Sequence, residues 1–181
     1  MADQLLDDFQ KQSYELYSLA FLLTGNADRS VEAFNRVLDF EGEANPTFDD
    51  FMNWWARKLI IVEALGTISA ELESSKQRVA RAAEDAIPTN AKWQPRPHIG
   101  REEFEEAVIA IDAFPRCAML LTIFEGMSIE EAALLLNEDE AMTRRAQQIG
   151  IVQLTNNLAA DRGRDPYRES DCNPVPVLSL S

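Results

Sequence analysis

Apolar residues in the first seventy positions recur at helical spacing in three runs. Leu5, Leu6, Phe9, Tyr14, Leu16, Tyr17, Leu19, Ala20, Phe21, Leu22 and Leu23 predict a helix over 5–23. It is amphipathic at its start and largely buried at its end, where the apolar run becomes nearly continuous. "TGNAD" stops it, because Gly25 suits the positive-φ position after a last helical turn. Asp28 or Ser30 is then expected to cap a second helix to about Asp39, with Val31, Phe34, Val37 and Leu38 facing inward. "EGEANPTFDD" is a break with Pro46 and a Thr47 cap, and a third helix over 48–68 follows. That helix holds Phe51, Trp54, Trp55, Leu59, Ile60, Ile61, Val62 and Leu65, the most hydrophobic set in the chain. Three such faces suffice to close one small core.

The pattern then weakens. Residues 71–81 read as an exposed helical continuation, and "AIPTNAKWQPRPHIGR" places Pro88, Pro95 and Pro97 within ten positions. Proline removes an amide donor and restricts the residue before it, so no regular element is expected there. Helical periodicity returns at 102–111, 116–124, 128–136 and 140–158. Beyond 161 the sequence reads as a mostly disordered tail. The expected architecture is all-α, with small helical domains at 1–68 and 101–160, a linker at 69–100 and a tail at 161–181.

Within the second block, Ser128-Ile129-Glu130-Glu131 is a capping box, and Asn137 suits the left-handed turn that follows Leu136. Together with the helix over 140–158 this outlines a helix-turn-helix. Met142, Ile149 and Val152 are expected to pack the second helix inward, leaving Thr143, Arg144, Gln147 and Gln148 outside. Arg and Gln are side-chain types that pair with guanine and adenine edges. The second helix enters the groove by its N-terminus, however, and here that end carries Glu138, Asp139 and Glu140. Carboxylates there suit the helix dipole and repel phosphate. A helical hairpin that merely packs is the competing reading.

Charge sharpens this conflict. The 181 residues contain 17 Lys and Arg against 31 Asp and Glu, a net −14. Residues 1–66 and 101–160 each carry −7, so the negative charge belongs to the helical blocks and not to the tail. A surface of this sign repels nucleic acid and anionic membranes unless its bases cluster. Cys117 in an apolar run and Cys172 in the polar tail do not make a disulfide framework. An acidic N-terminus and the lack of a long apolar run lead to the expectation of a cytoplasmic protein with no membrane contact.

Little here supports an enzyme. "REEFEEA" lacks the histidine three residues on that metal-binding bundles use, and reads as a solvated face. His98 stands among prolines, and no phosphate loop or nucleophile elbow is present. No cofactor or metal is expected. Trp54 and Trp55 point about 100° apart on a helix, so at least one belongs to the core, while the other could stack on unpaired bases.

The order of elements resembles a known family. "FPRCAMLLTIFEGMSIEEAALLL" is similar to the fourth conserved region of bacterial sigma factors of the extracytoplasmic-function type, whose helix-turn-helix reads an upstream promoter element. "LYSLAFLLTGNADRSVEAFNRVLDF" resembles the start of their second region, and "FMNWWARKLIIVEAL" the helix there that binds and opens the promoter. The likeness covers roughly residues 10–158 and rests on the order and spacing of two blocks. It implies RNA polymerase contact at Glu32, Asn35 and Arg36, of which Arg36 reverses the family's charge. It implies promoter opening by Trp54, Arg57 and Lys58, and duplex contact by Thr143, Arg144, Arg145, Gln147 and Gln148. Val62, Glu63 and "GTISAELESS" stand where the family has an aspartate and a basic run. Two roles follow: a sigma-factor-like regulator that contacts core RNA polymerase and promoter DNA with weakened affinity, or a sigma mimic whose partner is an anti-sigma-type protein.

Overall fold

The computed structural model describes residues 2–41, 49–82 and 99–160, and every regular element among them is helical. Helices α1 (Ala2–Thr24), α2 (Ala27–Glu41) and α3 (Asp49–Thr67) pack on one another as a three-helix unit. α4 (Ser69–Arg81), α5 (Arg101–Ile109), α6 (Ala113–Met119), α7 (Ile129–Leu136) and α8 (Glu140–Ala160) complete the order. The expected Thr47 cap, the prolines at 88, 95 and 97, His98 and the segment 161–181 lie outside the described residues.

α1 stops at Gly25, whose φ is +64°, as its sequence implies. The start of α2 differs from expectation. Neither Asp28 nor Ser30 supplies the cap: the Asn26 Oδ1 accepts from the Arg29 amide at 3.1 Å, while Ser30 is buried and shares a 2.8 Å hydrogen bond with Thr24. The inner face of α2 is accordingly rotated, with Ala33 and Val37 buried and Val31 exposed.

α4 is the element that changes the picture most. It was expected as an exposed continuation inside the linker, yet Ile68 interrupts α3, and Leu72, Ser75, Lys76 and Val79 are buried. α4 packs more extensively on α6 than on α3, so it belongs structurally with the helices that follow it. A single apolar core runs through both halves, from Leu16, Leu19 and Leu23 through Ile60, Ile61 and Ile68 to Phe114, Leu121 and Leu136.

α6 begins earlier than its proline implies. Asp112 is the N-cap and Pro115 sits in the first turn, where a missing amide costs nothing because no helical carbonyl awaits it. All seven residues of α6 are buried. The chain then widens into a π-helical turn over Leu120–Phe124, with the Glu125 amide donating to the Leu120 carbonyl at 3.0 Å. The Thr122 hydroxyl donates to the Ala118 carbonyl at 2.6 Å. Gly126, at φ +66°, turns the chain toward α7.

Candidate functional site

The hairpin of α7 and α8 forms as its sequence implies. The Ser128 Oγ accepts from the Glu131 amide at 3.1 Å, and the Glu131 carboxylate accepts from the Ser128 amide at 2.9 Å. That amide holds the Glu131 carboxyl below its usual range, with the Lys58 charge on α3 adding to the effect. Asn137 ends α7 in the left-handed region at φ 52°, ψ 55°. Asp139 starts α8 by accepting the Met142 amide at 2.7 Å. The acids at the tip therefore serve the helix end, as their dipole interaction requires.

The inner face of α8 is in part the expected one, since Met142 and Ile149 pack against the core, but the residues buried outright are smaller. Thr143, Ala146 and Gly150 are buried, at the i, i+3, i+7 spacing of one helical stripe, whereas Met142, Ile149 and Val152 are only half-buried. Small residues let α8 approach α6 closely. A Cβ built on Gly150 would lie 2.5 Å from the Pro115 carbonyl oxygen, well inside contact distance. Thr143, expected on the outer side, is fully buried and its hydroxyl has no hydrogen-bond partner among the described residues.

The remaining candidates on α8 divide. Arg145 Nη2 donates to the Ala82 carbonyl just past the end of α4. Gln147 donates to the Thr122 hydroxyl at 2.9 Å and so ties α8 to the π turn. Arg144 and Gln148 are exposed. Only these two of the five candidates present their side chains outward without an intramolecular polar contact among the described residues.

On α3, Trp54 is 57% exposed and Trp55 is half-buried. Lys58 lies over the Trp54 ring, 5.9 Å from its centroid. Arg57 is engaged by the other half of the molecule: its Nε and Nη2 donate to the two oxygens of Glu125 at 2.6 and 2.8 Å. On α2, Arg36 bonds Glu32 at 2.6 Å and Glu63 of α3 at 3.2 Å, while Asn35 is exposed beside them. Arg36 thus pairs with two acids of its own chain.

Several residues that sequence reasoning passed over organise this surface. Arg116 is buried, and its guanidinium donates to the carbonyls of Ile109 and Ile111 at 3.0 and 2.8 Å and of Leu23 and Thr24 at 3.3 and 3.2 Å. One cation thereby closes the C-terminal ends of α5 and α1, which come from opposite halves. Ser75 of α4 accepts the Phe114 amide at 2.9 Å in the first turn of α6. Arg78 makes a two-pronged pair with Asp112, at 2.8 and 2.6 Å, and holds that carboxyl below its usual range. Lys76 donates to the Asn137 carbonyl at 3.3 Å and lies 3.6 Å from both Glu73 and Glu138. The signal for Arg116 was present in the sequence: a lone charge in the apolar run "FPRCAMLL" has to be buried and satisfied. Cys117, its neighbour, is fully buried, and desolvation pushes its thiol up to about 12, which leaves it inert as a nucleophile at neutral pH.

No family model, curated protein or solved structure matches this chain.

Most of the described basic side chains have partners within the chain. Arg29, Arg36, Arg57, Lys76, Arg78 and Arg101 are each in an ion pair, and Arg116 and Arg145 are bound to backbone carbonyls. A cation so engaged can release fewer counterions from a duplex, which is where most nucleic-acid affinity originates.

Proposed function

We propose that this protein is a sigma-factor-like regulator of bacterial transcription initiation in which the grip on promoter DNA is weak. The observation that carries the reading is the α7–turn–α8 hairpin, with its capping box at Ser128 and Glu131 and left-handed Asn137, following a helix that exposes Trp54. In this reading Glu32, Asn35 and Arg36 on α2 face core RNA polymerase, Trp54, Arg57 and Lys58 face opened promoter strands, and Arg144 and Gln148 retain what duplex contact there is. Arg145 and Gln147 instead tie α8 to the end of α4 and to the π turn, and Thr143 packs inward.

A second reading is a sigma mimic that binds an anti-sigma-type protein and no DNA. Two observations favour it. The cations best placed for nucleic acid are engaged internally, and a groove of about 310 Å³ runs between α3, α4 and the end of α7. Val62, Leu65, Leu72, Leu135 and Leu136 line it, with Glu73 and Lys76 among them, a composition suited to an amphipathic helix.

Size-exclusion chromatography with core RNA polymerase separates the two. Co-elution that weakens in Asn35→Ala and Glu32→Lys supports the regulator. Absence of any complex with core polymerase, together with tight binding of a helical anti-sigma region, overturns it in favour of the mimic.

A further inference from the structure

Arg57 and Glu125 stand 68 positions apart, one on the helix proposed to face opened DNA and the other at the approach to the hairpin. Their contact is two-pronged, and the fork of a guanidinium that fits a carboxylate in this way is the same fork that fits a phosphate. Arg57 keeps 42% of its side chain exposed, whereas Glu125 keeps 6%. A carboxylate that buried requires a cation, since desolvation without a partner is expensive. Glu125 is aimed at α3 by two local features, the π-helical turn before it and the positive-φ Gly126 after it. Glu15 on α1 adds further negative charge near Arg57. Trp54 and Lys58, which share the Arg57 side of α3 at i, i+3 and i+4 spacing, keep their own arrangement, with the cation over the ring.

We propose that Glu125 is an autoinhibitory stand-in for phosphate: it occupies the Arg57 fork and so withholds the one guanidinium of the Trp54–Arg57–Lys58 face from nucleic acid. The inference rests on the nucleic-acid reading of α3 given above. The device works without separating the halves of the molecule. Only a side-chain pair has to exchange, so the shared core and the Arg116 contacts remain intact. Any event that draws Glu125 away, such as a partner seating on the Leu120–Gly126 turn, would present a three-membered aromatic and basic face.

The test uses the full chain with Glu125→Gln, which keeps the shape and removes the charge, and Glu125→Asp, which keeps the charge and shortens the reach. Arg57 reactivity toward phenylglyoxal is mapped by mass spectrometry, and binding to a forked duplex with an unpaired segment is followed by anisotropy across a salt series. Glu125→Gln is expected to speed modification of Arg57 severalfold, to tighten binding severalfold and to steepen the salt slope by about one unit, the share of one freed cation. Glu125→Asp is expected to show a smaller gain in both, and Arg57→Ala added to Glu125→Gln abolishes the gain in binding. Unchanged Arg57 reactivity in both variants overturns the clamp itself. Faster modification with no gain in DNA binding leaves the clamp standing and overturns the nucleic-acid reading of α3, and with it the inhibitory role.

Discussion

The first helix of the hairpin and the seam beneath it complete their helix ends by opposite means. α7 is finished largely by its neighbours in sequence: Ser128 and Glu131 satisfy each other's amides three residues apart, and Asn137 turns the chain by its own backbone. At the seam the partners are distant. Arg116 reaches the last carbonyls of α1 across more than ninety positions, Ser75 meets an α6 amide 39 positions on, and Arg145 reaches the end of α4 from 63 positions away. Distant capping has a consequence for the surface. Local capping leaves long basic side chains available, whereas long-range capping draws arginines into the joint between elements. Closing the halves in this way leaves fewer cations free at the surface.

The sharpest way to break the contrast is to remove the seam cation. Arg116→Met leaves the carbonyls of Leu23, Thr24, Ile109 and Ile111 without their donor, and the free energy of unfolding in a urea titration is expected to fall by about 3–4 kcal/mol. A loss below about 1 kcal/mol would mean those ends are satisfied in some other way. Gly150→Ala comes next. Its new methyl would meet the Pro115 carbonyl, so despite better helix propensity the same titration is expected to show a loss of about 2 kcal/mol. Ser128→Ala tests the local side of the comparison and is expected to lower stability by about 1 kcal/mol, the usual size of a lost N-cap.

The smallest effect concerns acid. The Arg78 guanidinium depresses the folded-state pKa of Asp112, so the stability from this pair is full above the unfolded carboxyl value near 3.8. It is lost as pH falls through the lower, folded value. Asp112→Asn is therefore expected to be less stable than wild type at neutral pH and to differ from it progressively less as pH drops toward 3. Thermal melts between neutral pH and pH 3 check this, and a gap that does not narrow at all at the acid end would contradict it.

The same contrast explains what was legible in the sequence. The capping box, the left-handed Asn137, the stop at Gly25 and the helical character of each block follow from rules that act within one or two turns, and the sequence carries them plainly. The inner face of α8 is only partly legible: Met142 and Ile149 pack against the core as expected, but its most buried positions are Thr143, Ala146 and Gly150. A hydrophobic pattern favours the large residues Met142, Ile149 and Val152, but backbone proximity to Pro115 selects the small stripe. The pattern of α4 reads as exposed because its buried positions include Ser75 and Lys76, polar residues whose burial makes sense only once α6 and α7 are beside them. The candidate site shows the same split. Arg144 and Gln148 lie on the outer side of α8 as expected, but nothing near Arg57 or Arg145 in sequence foretells Glu125 or the Ala82 carbonyl.

Titration of promoter-length duplex DNA with the purified protein across a salt series tests the central claim most directly. With Arg29, Arg36, Arg57, Arg78, Arg101, Arg116 and Arg145 engaged internally and Arg144 an exposed base on α8, the protein is expected to bind no tighter than tens of micromolar at low salt, with a slope of about one or two ions. Binding at micromolar concentration or below, with a slope of about five ions or more and a marked loss in Arg144→Ala, would contradict the account.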